Sequence, residues 1–540
     1  MSRILLSCLA LLSLLPPALQ AAEPVDLDMI TRIRNEGLHH SQVMATLSHL
    51  TDVIGPRLTG SPGLRQANDW TRDQLTEWGL ANAHLEGWEF GRGWSFSRSA
   101  VHMISPRATP LLAEPLAWTP GTNGPVRGEV VYLPIKRGDN PADLFADQKG
   151  KLEGKILLIE ELDPPTFGDE PTLQRLSDED LDDLEHFEIP SEDEEGNRPE
   201  RFRQRLRQRE EVRRILEEEK VLAIVTASSR GDGILRAGIY GSFRSGEPYG
   251  VPGLVMAAEH YRWLVRLIEQ KQPVELEIDV TATFHEDDTK AYNTVAELPG
   301  SDKAQELVLA GAHLDSWHLG TGATDNGAGC AVMMEALRIL KAVGAKPRRT
   351  IGIALWSGEE QGLGGAYAYA TEHLVEPPKA ENAEDRVWLS TLRGYRGPLT
   401  FRAGYPRFVA YFNLDNGAGR IRGIYSEENA AIAPIFQDWL RPLNDLGADT
   451  VTLRTTGSTD HVVFDRIGLP AFQFIQDPLE YSTLTHHSNL DVLDEVPAED
   501  LKQAAVVVAT MLYHAAMRDQ PLPRKPLPVD EEGRQLPNVR

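Results

Sequence analysis

The chain has 540 residues and a formal net charge of −25. That length exceeds what one ordinary hydrophobic core serves and implies two or more domains. The acidic balance excludes nucleic acid and anionic membrane surfaces as partners, since both require clustered Lys and Arg.

The opening "MSRILLSCLALLSLLPPALQAAEP" combines a basic start at Arg3, an apolar run from Ile4 to Leu15, a Pro16-Pro17 break and small residues up to Ala21. This is the pattern of a secretory signal peptide over residues 1–21, and it implies an exported protein, periplasmic or secreted. Later apolar runs are too short to span a bilayer, so no membrane anchor is expected after signal removal. Cleavage takes Cys8 away and leaves Cys330 as the remaining thiol, which excludes an intramolecular disulfide.

Residues 41–80 show apolar positions at helical spacing, interrupted by "IGPRLTGSPG", and predict two amphipathic helices around a Pro/Gly loop. Short β runs follow: "GEVVYLP" (128–134), "GKILLIE" (154–160), "VLAIVTAS" (221–228) and "VELEIDVTATF" (274–284). They predict a small β-rich domain over 121–286, interrupted by a strongly charged stretch at 169–220 that reads as a solvated acidic loop and an exposed helix.

From about Asn293 the pattern becomes strand, loop, helix. Near-continuous apolar runs, "LVLAGA" (307–312), "TIGIALW" (350–356), "RFVAYFNLD" (407–415) and "PAFQFIQ" (470–476), predict strands buried on both faces. Helices such as 329–343 alternate with them. The fold class is therefore α/β, with a mostly parallel sheet flanked by helices. Residues 287–516 form its main body, residues 22–120 its N-terminal part, and the Pro-rich 517–540 a disordered tail.

In such sheets, sites form beyond the carboxyl ends of the strands. Here the first strand leads to His313 and Asp315, then to Asp325. The second delivers Glu359 and Glu360, the third ends at Asp415, and the fourth is followed by His486 and His487. Taken singly, a "DNG" is usually a turn or a helix cap, and adjacent glutamates are usually solvated. Jointly, these strand-end residues exceed what chance placement explains. Imidazole and carboxylate donors without cysteine suit zinc. More donors than one tetrahedral ion needs implies two ions sharing a carboxylate, an arrangement suited to amide hydrolysis.

The motifs "GPRLTGS", "GAHLDSWHLGTGATDNGAG", "LWSGEEQG", "NLDNGAG", "GSTDHVVFDRIGLPA" and "HHSNLD" resemble, in this order, the co-catalytic two-zinc exopeptidases, and within them the carboxypeptidase Q branch. The resemblance implies an enzyme, a metallo-exopeptidase of aminopeptidase or carboxypeptidase type acting on peptides, with two Zn2+ per chain. It makes His313 and Asp415 ligands of one ion, Asp325 the bridging carboxylate, and Glu360 and His487 ligands of the second. His486 stands beside them as a bystander. Glu359 is implied as general base and Asp315 as the carboxylate that accepts the other ring proton of His313. The segment 121–286 is similar to an inserted protease-associated domain, which in the family covers the cleft or makes oligomer contacts; a homodimer is compatible with this. Trp317, His318, Asp460 and His461 flank the motifs and are candidates to shape the pocket. A non-catalytic binding homologue and a glutaminyl cyclase-like acyltransferase are the competing readings. The filled ligand positions weigh against the first and the inserted segment against the second.

Overall fold

The computed structural model describes residues 23–136, 138–164, 172–187, 198–376, 395 and 397–538. The predicted signal segment, residues 1–21, lies outside them. Among the described residues, two eight-stranded sheets account for all named strands. β1 (Ala81–Glu89) belongs to the first sheet. The second sheet takes the next eight: β2 (Gly93–Ser105), β3 (Thr109–Leu111), β4 (Ala113–Pro115), β5 (Val126–Tyr132), β6 (Ile156–Leu158), β7 (Ala223–Ala227), β8 (Gly253–Met256) and β9 (Glu275–His285). The chain then returns to the first sheet with β10 (Lys290–Leu298), β11 (Lys303–His313), β12 (Arg349–Trp356), β13 (Phe408–Asn413), β14 (Ile421–Tyr425), β15 (Thr450–Thr452) and β16 (Ala471–Gln476).

The first sheet runs β1-β10-β12-β11-β13-β16-β14-β15. Its centre, β12-β11-β13-β16, is parallel and consists of the four runs the sequence marked as doubly buried. β12, β13 and β16 are buried at every position. Antiparallel β1 and β10 close one side, and antiparallel β14 with its parallel neighbour β15 the other, so the sheet is mixed.

Helices Leu27–His39, Ala328–Ala342 and Ala498–Met517 cover one face through Ile33, Val332, Leu337, Val507 and Leu512. Helices Gly364–His373 and His461–Arg466 cover the other through Ala366, Tyr369 and Phe464. The run Val506–Val508 is intrinsically poor helix former, but full burial between layers overrides that preference.

Two sequence expectations are corrected. The second sheet begins at Gly93, not 121, because the long β2 pairs along its length with β9. Residues 93–115 therefore belong with the inserted segment rather than with the N-terminal part of the main body. The tail is not free either. Leu522 is buried, Arg524 donates to the Phe408 carbonyl (2.6 Å), and Asn538 N donates to the Arg466 carbonyl (2.7 Å). Proline rigidity lowers the entropy lost on laying this segment down, and its polar groups find partners along the way.

Candidate metal centre

The parallel strands β11, β12, β13 and β16 end at one edge of the sheet, so the loops that follow them converge there. His313 closes β11, Glu359 and Glu360 follow β12, Asp415 follows β13, and His486 and His487 lie in the loop after β16. Asp325 comes from the segment Ala323–Gly327 that leads into helix Ala328–Ala342.

His313 Nε2 lies 3.2 Å from Asp415 Oδ1 and 3.3 Å from Asp325 Oδ1. The other oxygen of Asp325, Oδ2, lies 3.3 Å from His487 Nε2, which is itself 3.0 Å from Glu360 Oε2. Asp325 thus turns one oxygen to each of two donor clusters. His486 comes closer than a bystander, with Nε2 at 4.0 Å from Asp325 Oδ2 and its ring tilted 36° to that of His487 at 3.8 Å between centroids. Donor atoms of His313, Asp325 and Asp415 fall within 4.8 Å of one another, and so do those of Asp325, His486 and His487. Glu360 remains the better-prepared third donor of the second cluster. Trp317 Nε1 donates to its Oε2 (2.7 Å), and its Oε1 is buried without a hydrogen-bond partner.

These residues fit divalent cations. Asp325 Oδ2 also lacks a hydrogen bond, and desolvated carboxylate oxygens without donors are costly unless a cation neutralises them. Burial foremost, and then the neighbouring carboxylates, push Glu359, Glu360 and Asp460 well above the usual carboxylate range, with His313 opposing. Burial alone would lower the pKa of His313, but Asp415, Asp315 and Asp325 outweigh it and raise it. The all-nitrogen-and-oxygen donor set suits zinc.

Asp315 does something other than the sequence reading implied. The Nδ1 of His313 meets the main-chain carbonyl of Asp315 at 2.9 Å, whereas the Asp315 carboxylate stands 3.7 Å away. The carbonyl takes the Nδ1 proton and leaves Nε2 free to ligate. The buried carboxylate instead accepts from the main-chain N–H groups of Glu359 and Glu360 (3.3 Å each) and from Thr59 Oγ1 (3.0 Å), so it fixes the turn that presents both glutamates.

Of the flanking candidates, Asp460 faces the cluster. It is fully buried, neither of its oxygens has a hydrogen-bond partner, and the charges of His313, Asp415 and Asp315 act on it. His318 points away: it bonds the Pro115 carbonyl (2.8 Å) and meets Trp94 and Phe96 edge-on. Burial there lowers its pKa to about 4. His461 Nε2 lies 3.4 Å from Glu427.

Two supporting residues escaped the sequence reading. Arg57, in "GPRLTGS", is fully buried and donates to the carbonyls of Leu50, Gly55, Leu314, Thr321 and Gly322, binding the loop between His313 and Asp325 to the N-terminal segment. Gly322 has φ +64°, and a Cβ there would stand 2.3 Å from Ser316 and 2.8 Å from Arg57 Nη2. Asp491 accepts from Thr324 N (2.6 Å), Thr324 Oγ1 (2.8 Å) and Asp325 N (3.2 Å), and so holds the backbone of the bridging residue. In the sequence it served only to mark spacing from His487.

The charged insertion is also not wholly solvated. Arg175 reaches Asp477 (2.7 Å) and Asp500 (2.8 Å), Gln174 and Leu479 exchange main-chain bonds, and Arg454 pairs with Asp183. Residues 172–187 thereby strap the second-sheet unit to the loop that carries His487. The parts at 165–171 and 188–197 lie outside the described residues.

Residues 293–512 match the model of peptidase family M28. Over these residues the chain is similar to the M28 peptidases, and it is a metallo-exopeptidase. Carboxypeptidase Q of Mus musculus is 26% identical over 497 residues, covering 90% of this chain and 88% of that one. Aminopeptidase YwaD of Bacillus subtilis is 28% identical over 224 residues, covering 41% of this chain and 44% of that one. Among solved structures, a peptidase M28 precursor from Shewanella amazonensis matches with a TM-score of 0.65 at 23% identity, covering 93% of this chain and 99% of that one. A zinc aminopeptidase from Bacillus subtilis matches with a TM-score of 0.55 at 18% identity, over 88% and 95% of the two chains. The fold is shared with both.

Proposed function

We propose that this protein is an exported exopeptidase that holds two zinc ions. His313 and Asp415 hold one, Glu360 and His487 the other, and Asp325 is shared between them. The observation that carries the reading is the two-sided Asp325, each of whose oxygens stands 3.3 Å from the Nε2 of a different histidine. Bound zinc supplies Lewis acidity toward the scissile carbonyl and the attacking water. Glu359 accepts the proton of that water and returns it to the leaving amine, a task for which a carboxylate with a raised pKa is suited. Asp315 keeps Glu359 and Glu360 in register through their main-chain N–H groups. Trp317 aims Glu360. The basic-apolar-small opening of the chain supports export, and no helix among the described residues is long and apolar enough to cross a membrane. The second-sheet unit, read as a protease-associated domain, roofs the cleft through the aromatic cluster that joins Trp94 and Trp118 to Leu58 and Trp317.

The test is mass spectrometry of an unblocked tetrapeptide of four different residues, incubated with the protein plus zinc and in parallel with a chelator. A ladder that the chelator abolishes supports the reading. An intact peptide, or cleavage indifferent to chelator, contradicts it.

A further inference from the structure

Glu359 and Glu360 are presented by one turn but are held differently. The side chain of Glu360 has partners in Trp317 and His487. The carboxylate of Glu359 makes no hydrogen bond or ion pair among the described residues, so its reach is set by the main chain of the turn. That main chain is soft by composition. Four of the nine residues at 357–365 are glycine, the residue with the most backbone freedom to lose on folding.

The turn is gripped from two sides. On one side, Asp315 accepts from the N–H groups of Glu359 and Glu360. On the other lies Trp88, the last residue but one of β1, whose Nε1 donates to Ser357 Oγ (3.0 Å). The six-membered ring of Trp88 rests on the main chain at both ends of the turn. A Cβ on Gly358 would stand 2.7 Å from that ring, and a Cβ on Gly364 2.3 Å from it. At these same two residues the turn closes on itself, with Gly364 N donating to the Gly358 carbonyl (2.9 Å). Asn293, on β10, fixes the base: its Oδ1 accepts from Ser357 N (3.1 Å) and its Nδ2 donates to the Gly365 carbonyl (2.9 Å). Trp88 is half-buried and belongs to neither core on the faces of the first sheet. Phe90 backs it edge-on at 5.7 Å and stacks at 4.8 Å on Phe243 of the second-sheet unit.

We propose that Trp88 is a positioning residue for proton transfer: together with Asp315 it clamps the turn 357–365 and so fixes the reach of the Glu359 carboxylate toward the water it deprotonates. The proposal rests on the role given to Glu359 above.

Two variants address the contact from opposite sides. Trp88→Ala removes the clamp, and Gly364→Ala pushes a methyl group into it while the indole stays. In zinc-saturated protein each should lower kcat on the tetrapeptide by about 10- to 100-fold, the cost of an ångström-scale misplacement of a reacting group, with KM and zinc content within about twofold of wild type. The double variant should be no slower than Trp88→Ala alone, because the methyl group then has room. Trp88→Phe, which keeps a smaller ring, should recover part of kcat. Amide hydrogen exchange in metal-free Trp88→Ala protein gives a readout without turnover, and it should rise at 357–365 while β12 keeps its wild-type protection. A kcat within about twofold of wild type in either single variant, a fall in kcat/KM carried by KM, losses that add in the double variant, or unchanged exchange in the turn overturns the proposal. If Trp88→Ala does not fold, Gly364→Ala decides by the same readouts. Failure of the Glu359 role looks different: Glu359→Gln then keeps the wild-type kcat.

Discussion

Replacing Asp491 by Asn should weaken zinc binding without touching a proposed ligand. Asp491 Oδ1 accepts from Thr324 N and Oγ1, while Oδ2 accepts from Asp325 N at 3.2 Å. An Asn can keep the first oxygen but must turn an NH2 group toward the Asp325 N–H, setting donor against donor in a site that is 3% exposed. Burial and then the charge of Asp325 raise the pKa of Asp491 to about 7, so near neutral pH the substitution removes less than a full charge and the change in hydrogen bonding adds to it. Leaving one buried donor unsatisfied costs about 1–3 kcal/mol. If that cost falls on the conformation of Asp325 that meets both clusters, zinc affinity drops by about 5- to 150-fold. The assay is competition between the metal-free protein and a chromophoric zinc chelator, with circular dichroism confirming the fold. A folded Asp491→Asn protein whose zinc affinity stays within about twofold of wild type would refute the reasoning.

Glu359→Gln should lower kcat by about 100-fold or more while zinc content, measured by elemental analysis, stays at the wild-type value; joint loss of metal and activity would make Glu359 a ligand instead. Arg175→Ala should raise amide hydrogen exchange in residues 477–488 and cost only about 1–2 kcal/mol of stability, since Arg175 is partly exposed and Arg422 keeps its 3.1 Å contact with Asp477. Exchange unchanged in that loop would show that the strap does not brace it. Cys330 should resist maleimide in the native protein at neutral pH and react after denaturation, because burial pushes its thiol up to about 12; rapid native labelling would place it elsewhere.

The central sheet was legible because β12, β13, β16 and the second half of β11 are apolar nearly throughout, as strands buried on both faces are. Strand ends were legible for the same reason, and with them the positions of His313, Asp325, Glu360, Asp415 and His487. The start of the second sheet at Gly93 was not, because β2 mixes buried, half-buried and exposed residues without a regular period and its pairing partner β9 lies about 180 positions away. The role of Asp315 was misjudged because sequence spacing does not separate a carboxylate from the main-chain carbonyl of the same residue. Arg57 and Asp491 act through hydrogen bonds to backbone groups distant in sequence, and composition leaves no trace of those. The charged insertion looked solvated because its partners, Asp477, Asp500 and Arg454, lie some 300 residues further on.

Anomalous scattering at the zinc edge from a crystal of the protein decides whether Asp325 is shared by two zinc ions. The account predicts two peaks flanking Asp325, each about 2.0–2.2 Å from its protein donors, one set by His313 and Asp415 and the other by Glu360 and His487. A single peak, or a second ion that does not touch Asp325, would contradict it.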